Sequence, residues 1–250
     1  MRSCKKFLFI GPLLILIYPS LINACQLVYA SPILEPHFWE EENKAKGLSV
    51  DFLHLVAKKA NCDIQYQAKP WKRVMHEMRS GKVDLTIGFY AKEREEFARY
   101  SQAKFGEYNF YIFTKPSVEP VKSIKDLYAK NKNLLYPKNW YLGKLKSEIQ
   151  SSKELAVPFV AIQDGINLLI NNRADALLSP TTNALYSFKK MSLTNKFVMN
   201  SPQLESLAQY LMFSKSSVSD EIYQRINSAM IDIVEAGDMD KITKSYTHSE

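Results

Sequence analysis

Between Gly47 and Ser101 two amphipathic stretches alternate with short apolar runs, and this order constrains the chain more than any other part of it. Gly47 and Ser49 open a stretch in which Phe52, Leu55, Val56 and Lys59 follow helical spacing, and Asn61 ends it. Cys62 to Tyr66 then alternates as a strand does. Pro70 starts a second helix, with Trp71, Val74, Met75 and Met78 at i, i+3, i+4 and i+7 and Gly81 at its close. Val83 to Ile87 is the next strand. With Cys25 to Tyr29 ahead of them, the sequence predicts strand, helix, strand, helix, strand, the pattern of a parallel sheet with right-handed crossovers. Ligands of such sheets sit beyond the carboxyl ends of the strands, so the residues after Tyr29, Tyr66 and Ile87 are the ones to watch.

The first residues carry Arg2, Lys5 and Lys6 ahead of an apolar run, Phe7 to Ile22, that Pro12 and Pro19 interrupt. A spanning helix needs about 20 apolar residues, so residues 1–24 read as a secretory signal peptide with small-residue cleavage at Ala24. Its removal takes three basic and no acidic residues, leaving 30 Lys and Arg against 26 Asp and Glu, a net charge of +4. With no basic run longer than a pair, that balance argues against a nucleic-acid partner. Two cysteines remain, Cys25 and Cys62, each at the first position of a strand-like run. Strands flanking one crossover helix are parallel neighbours, so a disulfide is expected, as suits an exported chain. The competing reading is a lipoprotein, since Leu21 to Cys25 loosely matches a lipid-attachment box. Against it, Asn23 is not the usual small residue, and a strand starting at Cys25 leaves no tether.

Past Ser101 the strand Tyr108 to Thr114 leads to Lys115-Pro116, and the alternation starts again. Strands are expected at Asn133–Tyr136, Ala156–Val160 and Ala174–Ser179, with helices near 141–149, 164–171 and 182–190 and a returning strand at Leu207–Phe213. Two helical stripes close the chain. The four histidines, at 37, 54, 76 and 248, show no metal-ligand spacing, and no cofactor motif is present.

Gly47 to Phe52, Pro70-Trp71-Lys-Arg73, Gly81-Lys-Val-Asp84, Gly88, Glu93-Arg94 and Ser101 stand at nearly the spacing of the polar-amino-acid type, family 3, of bacterial periplasmic solute-binding proteins, which the chain resembles. Ile124 to Leu127, Asn172 to Ala176, Tyr210 to Lys215 and Gly237 to Tyr246 resemble that family's second lobe and closing helices. The resemblance implies an α/β, two-lobed type II binding-protein fold, each lobe a mostly parallel sheet flanked by helices. It divides the chain into lobe 1 (25–113 and 210–250) and lobe 2 (114–209), with crossings near Phe113 and Tyr210 forming a hinge. It implies a monomer in the periplasm that binds a small carboxylate-bearing, amino-acid-like solute for an ABC uptake permease, without cofactor or catalysis.

Arg94 is the sharpest candidate, because a guanidinium at a strand's carboxyl end can hold a carboxylate through two parallel hydrogen bonds. In the resembling family the arginine of this motif does so. The plainer reading is a surface arginine paired with Glu93, Glu95 or Glu96. The loop Glu35 to Trp39 resembles the family's aromatic loop, with Phe38 the preferred stacking face and Trp39 second. Trp71 is a pocket wall or core, Arg73 a pocket or solvated helix residue, and Tyr90, Asn139, Trp140 and Ser179 are expected to face the cleft. The chain departs from the family where Ala91-Lys92 replaces a hydroxyl residue, and where no acidic residue follows Asp175 in lobe 2. A carboxylate with a different second group, or an amine read by Glu35, are both open. Rivals are a dehydratase-like enzyme, requiring two of Glu35, His37 and Glu93 to converge, and a soluble sensor for a membrane receptor.

Overall fold

The computed structural model describes residues 25–248, so the expected signal peptide lies outside the described residues. The chain builds β1 (Cys25–Ser31), a hairpin of β2 (Trp39–Glu41) and β3 (Lys44–Lys46), α1 (Leu48–Lys59), β4 (Cys62–Ala68), α2 (Trp71–Arg79) and β5 (Leu85–Phe89). A 3-10 turn over Lys92–Glu96 precedes the long β6 (Ala98–Thr114). The second lobe holds α3 (Ile124–Ala129), β7 (Leu134–Pro137), α4 (Leu145–Ile149), β8 (Ala156–Phe159), α5 (Ile162–Ile170), β9 (Ala176–Pro180), α6 (Thr181–Lys190) and β10 (Val198–Met199). The chain returns through β11 (Glu205–Ser214) and ends in α7 (Asp220–Glu235) and α8 (Asp238–Thr247). This is the expected two-lobed α/β fold.

The strands run in the order β4-β1-β5-β11-β6-β9-β7-β8, with β10 pairing on β6. The outer pairs of each lobe are parallel, β1 with β4 and β5, β7 with β8 and β9. At the centre β11 pairs antiparallel with both β5 and β6, and β6 pairs antiparallel with β9. Apolar side chains fill both faces. In lobe 1 one cluster holds Phe52, Phe105, Phe213 and Met230, and another holds Val74, Met78 and Met212. In lobe 2 the equivalents are centred on Phe110, Ile112 and Leu178, and on Phe113, Leu177 and Phe188. Phe113, where the sequence expects a crossing, is thus already packed in the second lobe.

One carboxylate fastens each lobe's sheet. Asp84 Oδ2 accepts from Val28 N at 2.7 Å, and the Asp84 backbone bonds Val28 O at 2.9 Å. Asp175 repeats the arrangement, with Oδ2 accepting from Asn133 N at 2.9 Å and Asp175 N donating to Asn133 O at 3.1 Å. Ahead of Asp84, Gly81 ends α2 with φ +73°, the left-handed conformation glycine adopts freely.

Two expectations shift. The hairpin β2–β3 was not foreseen, because three-residue strands of Lys, Glu and Trp carry no period. The strand expected at 108–114 begins at Ala98, ten residues earlier.

Cys25 and Cys62 are register partners on β1 and β4 and are joined, Cα–Cα 4.6 Å. The bond closes a loop of 37 residues. Replacing both cysteines by serine is expected to lower the unfolding free energy by about 3 kcal/mol in urea titrations, without changing the ligand site.

Candidate functional site

A cleft of ≈ 720 Å³ opens at the carboxyl ends of β1 and β5 and the loop after β7, where an α/β sheet places its ligands. Arg94, Trp71, Tyr90, Asn139 and Trp140 all line it, as the sequence suggests.

Arg94 sits in the turn after β5. Its Nη1 donates to Phe89 O at 2.9 Å, and its guanidinium carbon lies 5.3 Å from the centre of the Trp71 ring. Among the described residues it makes no ion pair. Glu95 instead accepts from the Tyr90 hydroxyl at 2.9 Å, and Glu96 pairs with Arg79 at 3.3 Å. The charge is held by a carbonyl and an aromatic face and faces the cleft unneutralised, the state in which a carboxylate is bound most favourably. Gly88 makes room for this arrangement, since a Cβ there would lie 2.9 Å from Trp71 Cη2 and 3.1 Å from Met212 Sδ.

The loop after β1 behaves differently from expectation. Phe38 is fully buried in the lobe 1 core, 5.8 Å from the Tyr29 ring, and presents no face to the cleft. Its large apolar area is better satisfied in the core than on a solvent-lined wall. Trp39 belongs to β2 and packs against Tyr186 and Tyr246 at 6.0 and 6.1 Å. Glu35 is paired with Lys190 of α6 at 2.6 Å and does not line the cleft. Arg73 extends into solvent and pairs with Glu77 at 2.7 Å, the i,i+4 partner on its helix. Ser179 is buried in β9, its hydroxyl donating to Pro180 O at 3.1 Å.

The loop brings His37 to the cleft in place of Phe38. Leu48 N donates to Pro36 O at 2.9 Å and Ser49 N to His37 O at 3.0 Å, so the start of α1 grips the loop from below. Gly47, at φ +122°, allows the approach; a Cβ there would lie 2.5 Å from His37 O. Part of His37 faces the cleft, but both ring nitrogens are buried without a hydrogen-bond partner, as is Asn183 Oδ1 on α6. Burial lowers the His37 pKa to about 4, with the Asn183 amide opposing the shift. His37 is therefore neutral near pH 7. Its ring packs 5.1 Å from that of Tyr108 on β6.

Sequence reasoning missed Phe89, Tyr141, Tyr108 and Gln209 as wall residues. Phe89 follows Ile87 and Gly88, so the strand-end rule could have found it. Tyr108 and Gln209 lie on the two central strands, and no local pattern shows which of their faces meets the cleft. Among the described residues no group of three or more His, Cys, Asp or Glu side chains is placed to hold a metal ion.

The chain belongs to the bacterial extracellular solute-binding proteins, family 3, whose family model matches residues 30–249. It is similar to the probable amino-acid-binding protein YxeM of Bacillus subtilis (strain 168), 23% identical over 217 residues that cover 86% of this chain and 81% of that protein. It is also similar to the arginine-binding extracellular protein ArtP of the same organism, 23% identical over 225 residues, covering 86% and 83%. Among solved structures, the probable amino-acid ABC transporter extracellular-binding protein ytmK from Bacillus subtilis superposes with a TM-score of 0.72 at 18% identity, covering 90% of this chain and all of that one. These are named as binding proteins, and the fold agrees with that of the solved one.

The buried imidazole sets a pH dependence. His37 has a lower pKa folded than the ordinary 6.5, so above that value it is neutral in both states and contributes no pH-dependent term. As pH falls from 6.5 towards 4 the unfolded chain takes up a proton the folded one refuses, and stability is lost by up to about 3 kcal/mol. Urea titrations from pH 7 to 4 should show this loss in the wild type, and His37→Phe should remove it.

Proposed function

We propose that the protein captures a small amino-acid-like solute by its carboxylate between the two lobes, outside the cytoplasm, and presents it to an ABC uptake permease. Arg94 carries the reading: a cation on the cleft wall with neutral partners only. The relatives' amino-acid and arginine binding supports the solute class. Periplasmic location after loss of residues 1–24, a monomeric state and an inner-membrane permease as partner belong to the same reading, as does the absence of catalysis. For an enzyme two of Glu35, His37 and Glu93 must converge. Glu35 is engaged by Lys190, and although His37 and Glu93 both line the cleft, the ring nitrogens of His37 are buried.

The lobes would pivot where β6 and β11 pass between the two cores. Pairing slips there, between Gln209 opposite Gly106 and Tyr210 opposite Lys104, leaving Phe105 as an inserted residue. A bulge of this kind bends a ladder without breaking it. Ligand contacts from both lobes form only on closing, so binding shifts the population to the closed form.

Calorimetry tests the carboxylate site. Arg94→Ala should cost about 2–5 kcal/mol of binding, since it leaves a desolvated anion unpaired, and Arg94→Lys should recover only part. Arg173→Ala, an exposed arginine of lobe 2, is the control. Equal affinities for wild type and Arg94→Ala would sink the reading. Small-angle scattering of the exported protein should show compaction when the ligand saturates it, and unchanged dimensions would argue against closure.

A further inference from the structure

The two lobes also touch outside the cleft. Helix α6 of lobe 2 lies along lobe 1: Asn183 Nδ2 donates to Glu35 O at 2.9 Å, Lys190 Nζ stands 2.6 Å from Glu35 Oε2, and Lys189 Nζ donates to Ser245 O of α8 at 3.1 Å. Between these bonds Tyr186 packs 6.0 Å from Trp39 of β2 and 6.2 Å from Tyr246 of α8, and Trp39 and Tyr246 lie 6.1 Å apart. The Tyr246 hydroxyl is tied in turn to Asp51 of α1 at 2.6 Å. None of Trp39, Tyr186, Lys189, Lys190 and Tyr246 lines the cleft.

These contacts and the cleft lie on opposite faces of the sheet. In lobe 2, Leu34, Phe89 and Trp140 of the cleft wall join the apolar cluster of Phe110 and Ile112, whereas Ala184 and Phe188 of α6 belong with Phe113, one residue on and so facing the other way. In lobe 1, Trp71 of the cleft packs on the cluster of Val74 and Met212, whereas Met239 and Ile242 of α8 pack on that of Phe213 and Met230. A rotation about β6 and β11 that narrows one face of the sheet widens the other. Helix α6 starts beside the pivot, where the Thr181 hydroxyl donates to Asn109 O of β6 at 3.1 Å. Lys190 stands at its far end, about 10 Å beyond Asn183. The aromatic trio and the Lys190–Glu35 pair therefore move apart most when the cleft shuts.

We propose that this contact is a clasp: it holds the unliganded lobes open, closing must break its outer end, and Trp39, Tyr186 and Lys190 set the apparent solute affinity without touching the solute. A protein whose closed form is sparsely populated binds more weakly by that fraction, so every contact that favours the open form lowers affinity. The parts suit a reversible clasp, since half-buried aromatic pairs and exposed ion pairs are individually weak. This rests on the pivot proposed above and adds the element that biases it.

The test reads the lobes directly and needs no ligand. Lys72→Cys on α2 and Lys146→Cys on α4, both exposed, carry nitroxides on the two lobes while Cys25 and Cys62 stay joined. Pulsed dipolar spectroscopy of the exported, ligand-free protein then gives the distribution of interlobe distances. Tyr186→Ala combined with Lys190→Ala should raise the ratio of the short to the long distance about fivefold, the combined size of one aromatic pair and one exposed ion pair. Lys190→Ala alone, at an exposed position, should move it the same way by less, and it carries the test if the double variant does not fold. Lys59→Ala, which removes the Lys59–Asp232 pair inside lobe 1, should leave the ratio unchanged. An unchanged ratio in the clasp variants, a shift toward the long distance, or an equal shift in Lys59→Ala overturns the clasp, and two distances in the wild type then leave the pivot standing. One narrow distance in every protein overturns both.

Discussion

The pairing of β11 with β5 on one side and β6 on the other joins everything else in the molecule. Lobe 1 reaches its last central strand only because residues 209–213 of β11 lie antiparallel to 85–89 of β5. Lobe 2 is attached because β6 continues past its bulge to pair with β9 over Phe110–Thr114. A strand paired on both edges within one sheet has its register fixed from both sides, since a slip of one residue would turn every side chain over. That register puts Tyr108 and Gln209 on the cleft side and Phe110 and Phe213 in the cores. The pairing of β11 with β6 slips at two places, between Gln209 and Tyr210 and between Tyr210 and Met212, and beside the first the backbone has room: a Cβ on Gly106 would meet nothing within 4 Å.

The acidic residues of the two matching motifs, Gly81 to Asp84 and Asn172 to Ala176, are structural. Each carboxylate receives a backbone N–H from the neighbouring strand at the point where its own strand begins. Each motif therefore sets the height of a strand in the sheet and so the level at which the strand's carboxyl end meets the cleft. In lobe 1 that places Gly88 and Phe89 at the rim and the following turn with Arg94 just above. Asp175 is further held by Lys132 at 3.0 Å. A sequence match to these motifs identifies the scaffold and carries no ligand chemistry of its own.

This explains how legible the chain was. Strands and helices with a clean period, such as Cys62–Ala68, Trp71–Arg79 and Asp220–Glu235, followed from spacing, because one face of each must be buried. The disulfide followed from two strands starting in register. The β2–β3 hairpin had no apolar face to betray it, and the early start of β6 was hidden because Arg99, Ser101, Gln102, Lys104, Gly106 and Glu107 leave its first half without an apolar period. Arg99 is there for packing: it lies 4.7 Å from the centre of the Tyr223 ring and pairs with Asp220, fastening α7 to the sheet. Half of the expected site residues reached the cleft, those at strand ends. The loop 35–39 failed because its aromatic positions could not be told apart by type. The grip of Gly47 and Ser49 on the loop backbone decides which of His37, Phe38 and Trp39 faces in, and that is a tertiary effect.

Arg94 is set apart by its partners more than by its position. Among the described residues Arg73, Arg79, Arg99 and Arg225 each lie within 4.0 Å of a carboxylate, and Arg173, which like Arg94 makes no ion pair, is exposed away from the cleft that Arg94 lines. Arg94 has glutamates on both sides in sequence and pairs with neither. A flexible arginine on a surface turn would fold back onto such neighbours. Here the Phe89 carbonyl and the Trp71 face hold the guanidinium over the cleft, while Tyr90 and Arg79 draw off Glu95 and Glu96. Exposed ion pairs contribute little, about 0–1 kcal/mol, so the cost of keeping this one open is small. The gain is a preorganised cation whose hydrogen-bonding edge need not be released from a competing anion before a solute carboxylate arrives, and that saving is counted directly in affinity.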